Sequence, residues 1–378
     1  MRFRRPGRRY VPNRGLVVLV VLAALVFAQR TTPGLSLATR ALAREWVSCL
    51  LAGEPPENAF TMPVPAVQRP TAGRSSPDTP DEALLDPRWG ADLLGISRLD
   101  TPPSLADITV AVIDSGIDAR HPVFGDAVRP GLDLLNPCGD GRTDHRGHGT
   151  QVAGVIAALP GNAGGIVGAA TGVQLLPVRV GALGQRLRWL DAAAIVWAVQ
   201  HGADVINISA SSRSDRPSRV EHAAIRYAVS RGVVVVASAG NIPGALARFP
   251  AAYPEVISVT AVDLDRALPP VTIRGKVDIA APGDVMVVAA PGGRYTRAWG
   301  TSFAVPYVSA VAARMKAADP SLTPGQVRRV LMATARPVKV APGQRPPSFG
   351  VVDPAAALAA VGAPQPLMLA AEAAAGSG

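Results

Sequence analysis

The sequence predicts an α/β domain on a parallel sheet, and three observations carry that expectation. Continuous apolar runs recur at Ile108 to Ile113, Leu175 to Val180, Val205 to Ile208, Val233 to Ala237 and Val256 to Val259, as expected of strands buried on both faces. Between them, Gly149 to Leu159, Leu190 to His201 and Arg219 to Ser230 have helical periodicity. The alternation of the two patterns implies βαβ units. With 378 residues, 48% of them hydrophobic, the chain can bury a large core, which excludes a disordered protein.

The N-terminus reads differently. Arg2, Arg4, Arg5, Arg8, Arg9 and Arg14 precede the apolar run Leu16 to Ala28, and residues 1–28 hold no acid. That run is short for a membrane span, which needs about 20 residues. Basic, then apolar, then small residues is the order of a secretory signal, with cleavage after Ala28; uncleaved, residues 1–28 would be a signal anchor with the basic end inside. These six arginines supply more than half of the net charge of +10. What remains is an ordinary surface balance, so the charge does not point to a nucleic-acid partner. The expected location is secreted or extracytoplasmic, in the cell envelope, with membrane contact only through an uncleaved N-terminus.

Residues 29–83 hold one amphipathic stretch (Leu37, Leu42, Trp46, Leu50) and a Pro-, Ser- and Thr-rich run, and read as a largely unstructured pro-segment or linker. Residues 84–362 carry the α/β pattern, and residues 363–378 an Ala-rich flexible tail. There is no internal repeat. The two cysteines, Cys49 and Cys138, leave open a bridge or two separate thiols.

Four stretches could do chemistry. Asp114 ends the first strong strand in Ile113-Asp114-Ser115-Gly116, at the carboxyl edge where open α/β sheets bind ligands; the plain alternative is a turn aspartate. Asp144-His145-Arg146-Gly147-His148-Gly149-Thr150 opens a helix, and its glycines leave the His148 imidazole approachable. Asp144, His145, His148 and Cys138 are all metal-ligand types, but two histidines three apart without a further motif are a weak metal signal. Asn241 follows a buried strand, either as a turn former or as a hydrogen-bond donor to developing negative charge. Ser302 stands in Gly300-Thr301-Ser302-Phe303 at the mouth of an Ala-rich helix. Capping is the usual work of serine there. If Thr301 caps instead, Ser302 is left to act as a nucleophile, given a base and a carboxylate to orient it.

The order Asp114, His148, Ser302, with Asp-Ser-Gly, Gly-His-Gly-Thr-Gln-Val-Ala-Gly (147 to 154), Val205 to Ser209, Ala239-Gly240-Asn241, Ala280-Ala281-Pro282-Gly283 and Gly-Thr-Ser-Phe-Ala-Val-Pro (300 to 306), resembles the subtilisin-like serine proteases, the subtilases, from about Trp89 to Val361. The resemblance implies a doubly wound, mostly parallel sheet with helices on both faces, and peptide-bond hydrolysis through an acyl-enzyme on a polypeptide substrate by a monomer. It implies Ser302 as nucleophile, His148 as general base and acid, Asp114 as orienting carboxylate, and Asn241 as oxyanion donor. Ser209, Ala210, Ser211, Ala239, Gly240 and Arg248 would then contact substrate.

Two departures bear on specificity. Ser209-Ala210-Ser211 stands where the family usually has Ser-Leu-Gly, which adds a side chain at the pocket rim and favours small residues. Arg248, before Phe249-Pro250, falls at a position that lines the pocket floor in relatives. It would favour Asp or Glu there, or, on the ordinary reading, point to solvent. The chemistry requires no cofactor and no metal. Structural calcium is frequent in the family, and the loop Leu159 to Val167, with Asn162, is the candidate place for it. Two other readings stand beside the peptidase: a catalytically silent subtilase-fold binding or regulatory module, and an α/β-hydrolase esterase. The esterase would want Gly-x-Ser-x-Gly and the reverse residue order.

Overall fold

The computed structural model describes residues 86–362 apart from 137, 182–187, 213–214, 270–274 and 344. The expectations for residues 1–83 and 363–378 therefore lie outside the described residues. The predicted strands appear as β1 (Thr109–Asp114), β3 (Gln174–Arg179), β4 (Val205–Ile208), β5 (Val234–Ser238) and β6 (Ile257–Val262). Two further strands complete the sheet, β2 (Leu132–Asp133) and β7 (Ile279–Pro282). Its order is β2-β3-β1-β4-β5-β6-β7, with every pairing parallel. The chain reaches β3 on one side of β1 and then crosses to β4 on the other, so the winding reverses around β1 and opens a crevice at the carboxyl edge, where Asp114 ends β1.

Alternate strand residues feed two cores. Val110 and Val112 of β1 join Val205, Val234, Val236 and Ile257 under α2 (His148–Ala157) and α5 (Thr301–Ala318). Ala111 and Ile113 join Ile206, Ile208 and Val235 under α3 (Arg188–Gln200) and α4 (Arg219–Ser230). Helices thus cover both faces, which explains why the strands are apolar throughout rather than alternating. The fold is the doubly wound α/β arrangement that the sequence implied. Around it lie α1 (Trp89–Leu93), α6 (Pro324–Ala333), α7 (Pro354–Gly362) and an antiparallel hairpin of β8 (Met286–Ala290) and β9 (Arg294–Ala298). Cys138 is disulfide-bonded; Cys49 lies outside the described residues.

Candidate active site

Asp114 and His148 are 34 residues apart in sequence and meet at the sheet edge. His148 Nδ1 lies 2.8 Å from Asp114 Oδ1 and 2.9 Å from Oδ2. A carboxylate only accepts, so Nδ1 carries the proton and Nε2 of the neutral ring is the basic nitrogen. Asp114 is buried at 4% exposure and also accepts the Ser115 N–H at 2.8 Å, while the His148 side chain is 16% exposed. The pair, His148 Nε2 included, is therefore shielded from bulk water. Its closeness depends on glycine. A Cβ on Gly149 would stand 2.0 Å from the Gly116 carbonyl oxygen, so only Gly lets the first turn of α2 lie against the end of β1.

Ser302 is the second residue of α5, entered through Gly300 at φ 117. The Phe303 ring lies 5.8 Å from the His148 ring, which brings the start of α5 beside the imidazole. The Ser302 hydroxyl donates to the Ser209 carbonyl at 3.0 Å. It has one proton to give, so the bond to His148 expected from the sequence is not made in this conformation. Such bonds are often long or absent before substrate binds.

Thr301 corrects a second expectation. It does not cap α5; it is the first helical residue, and no side chain caps Gly300. Its hydroxyl instead shares a 2.6 Å bond with Ser238 Oγ and reaches Asn241 Oδ1 at 2.9 Å. Asn241 Oδ1 also accepts the Thr301 N–H at 2.9 Å. Two donors facing one amide atom identify that atom as the oxygen, so the Asn241 N–H donors point elsewhere. The Asn241 Nδ2 would be 3.1 Å from a Cβ on Gly300, so this donor sits against the turn that delivers Ser302.

The segment that takes the serine's hydrogen bond is strapped to two others. Ser209 is fully buried and its Oγ accepts from Asn207 Nδ2 at 3.0 Å, while Asn207 Oδ1 accepts from Ser309 Oγ at 2.9 Å, tying the end of β4 to α5. Ala210 is buried and Ser211 half-buried. The Ser212 N–H donates to the Phe249 carbonyl at 2.7 Å, and the Arg248 N–H to the Ala239 carbonyl at 3.3 Å. Residues 209–212, 239–241 and 248–249 thus form one strapped rim, with Ala239 and Gly240 buried and Arg248 half-buried rather than fully in solvent. Below it, Phe249 packs on Tyr253 at 4.4 Å, and burial, with Glu221 nearby, pushes the Tyr253 phenol up to about 12.

The metal reading finds no support. Among the described residues no group of three or more metal-ligating side chains gathers. His145 is exposed, Asp144 is saturated by N–H and O–H donors, and Cys138 is in its disulfide. In the loop proposed for calcium, Asn162 Nδ2 donates to the Leu159 and Ile166 carbonyls at 2.6 and 2.7 Å. A donor stands where a cation needs oxygens, and this arrangement does not fit the ion. The sequence alone assigns no supporting role to Ser115, Asp144, Thr150, Asn207 or Ser309. Their only common signal is a polar side chain that proves to be buried.

Fold and grouping together define the class: an acid, an imidazole and an alcohol at the carboxyl edge of a parallel sheet have the layout of a serine peptidase. The subtilase family profile matches residues 106–354, and the chain belongs to the subtilase family. M-protease of Shouchella clausii (strain KSM-K16) is 37% identical over 249 residues, 64% of this chain and 64% of that protein, so the match spans just under two thirds of the relative. Among solved structures, MycP1 from Mycobacterium smegmatis is 29% identical with a TM-score of 0.63, covering 74% of this chain and 86% of the other. MycP3, a protease from a type VII (ESX-3) secretion system, is 31% identical with a TM-score of 0.57, covering 71% and 87%.

Proposed function

We propose that this chain is an exported endopeptidase that cleaves polypeptides through an acyl-enzyme on Ser302. The observation that carries the reading is the Asp114–His148 geometry, which fixes the proton on Nδ1 and leaves Nε2 basic. In the first step Ser302 Oγ turns from the Ser209 carbonyl and attacks the scissile carbonyl carbon, while Nε2 takes the hydroxyl proton. Asp114 steadies the imidazolium. The oxyanion receives hydrogen bonds from Asn241 Nδ2 and from the Ser302 backbone N–H, a first-turn donor without an intrahelical acceptor. Collapse breaks the C–N bond, and His148 returns the proton to the departing amine. A water, deprotonated by the same nitrogen, then releases the acid and restores Ser302.

Ser209, Ala210, Ser211, Ala239 and Gly240 line the acyl side, and Arg248 gives it a preference for a small acidic residue. The reading of residues 1–28 as a signal or anchor supports export, and the likeness to MycP3 supports a narrower setting beside a secretion system. No helix of the described residues is long and apolar enough to cross a membrane.

Cleavage of an unstructured protein and of a quenched peptide library by the wild type and by Ser302→Ala tests the reading. Turnover by the wild type alone is expected. Absence of turnover, with intact binding to polypeptides, would favour the silent module. N-terminal sequencing of the mature protein is expected to find residue 29 or later; a chain still beginning at Met1 would make the segment an anchor.

A further inference from the structure

Asp144 lies outside the three proposed catalytic groups, yet it is a carboxylate of 5% exposure held by five donors. Its Oδ1 accepts from Ser115 Oγ at 2.9 Å, from the Arg146 N–H at 2.9 Å and from the Gly147 N–H at 2.8 Å. Its Oδ2 accepts from the Thr150 N–H at 2.9 Å and Thr150 Oγ1 at 2.7 Å. A carboxylate offers about four lone-pair sites, so this one is saturated.

Simple helix capping would engage one or two N–H groups of the first turn. Here one bond leaves the helix altogether. Ser115 Oγ, which donates to Asp144, accepts the Gly149 N–H at 2.9 Å, and the Ser115 N–H binds Asp114 Oδ1 at 2.8 Å. Thr150 Oγ1 in turn accepts the Asp118 N–H at 2.9 Å. The backbone on both sides of His148 and the residue beside Asp114 are thus fastened to a single buried anion.

We propose that Asp144 is a positioning residue of the site, setting the Asp114–His148 geometry through Ser115, Thr150 and the backbone around His148. Tolerances in such pairs are tight, since a misplacement of about 1 Å can cost on the order of 100-fold in rate. This rests on the triad proposed above, and the readouts separate the two.

Asp144→Asn puts an amide N–H against donors that need an acceptor. It is expected to lower kcat roughly 10- to 100-fold with KM within about twofold, while a fluorophosphonate still titrates a full complement of sites, more slowly. Thr150→Val keeps the shape and removes the hydroxyl, and should lower kcat about 3- to 10-fold, with Thr150→Ser recovering most of the loss. If both Asp144→Asn and Thr150→Val keep kcat within about twofold of wild type, or if lost rate merely equals lost titratable sites, the assignment is overturned. A wild type that does not label at Ser302 would instead sink the triad itself.

Discussion

The two halves of the site are built to different standards. On the His148 side, the imidazole, Asp114, Ser115, Asp144 and Thr150 form a closed network in which both carboxylates are buried and Asp144 is saturated. On the Ser302 side, the proposed nucleophile rests on a main-chain carbonyl and the proposed oxyanion amide belongs to an exposed residue, Asn241. Magnitudes explain the division. A neutral hydroxyl–carbonyl bond contributes about 1 kcal/mol net, small enough to be exchanged when substrate arrives, whereas hydrogen bonds to a charged group contribute about 1.5–3 kcal/mol each. The folded chain thus prepares the charged half in advance and leaves the proposed nucleophile on a bond that is easily exchanged.

Substitutions on the two sides should break this contrast in different ways. The largest effect is expected for Ser302→Ala, a fall in kcat on the order of 10⁶-fold, the scale of the corresponding loss in subtilisin, with peptide binding retained. Asn241→Ala should lower kcat by about 100- to 1,000-fold with little change in KM, because its donors matter most when the oxyanion forms; an equal rise in KM would make it a ground-state contact.

Gly149→Ala attacks the prepared half. With the new Cβ 2.0 Å from a backbone oxygen, a loss of about 1–3 kcal/mol in stability and a matching fall in kcat are expected by thermal melting and steady-state assay. An unchanged melt would mean the α2 contact yields easily. Arg248→Gln should remove any preference for Asp or Glu on the acyl side, by roughly tenfold or less, while sparing neutral peptides; a library profile without acidic enrichment in the wild type would leave Arg248 no such role.

The smallest effect lies under the rim. Because the folded Tyr253 phenol is raised from 10.0 to about 12, its contribution to stability is complete below pH 10 and lost as pH rises towards 12. Tyr253→Phe should flatten the decline of stability across that window, read by denaturant melts at several pH values. A parallel decline in both proteins would show that the phenol is not the group responsible.

Much of the fold was legible because buried parallel strands are continuous apolar words, and β4 and α4 fall on the predicted boundaries, Val205–Ile208 and Arg219–Ser230. β2 was missed because two residues carry no period, and β9 because Arg294, Thr296 and Arg297 are exposed on a two-stranded hairpin. α6 was missed although Thr323 and Gln326, its capping box, stood in plain view.

The proposed site residues were named from short motifs and family likeness, and the chain brings Asp114 to His148, Ser209 to Ser302 and Asn241 to Thr301, with Arg248 tied to Ala239. What the motifs did not reveal is how those groups are held. The Ser302–Ser209 bond spans 93 residues, Ser309–Asn207 spans 102, and Ser115–Asp144 spans 29. Contacts of that reach leave no local pattern.

Labelling of the purified protein with a fluorophosphonate, followed by peptide mapping, asks whether Ser302 is the activated nucleophile. One phosphonylated side chain, Ser302, is expected, with no labelling of Ser302→Ala or of protein whose His148 has been replaced by alanine. Equal labelling of wild type and Ser302→Ala, or a label on another residue, would contradict it.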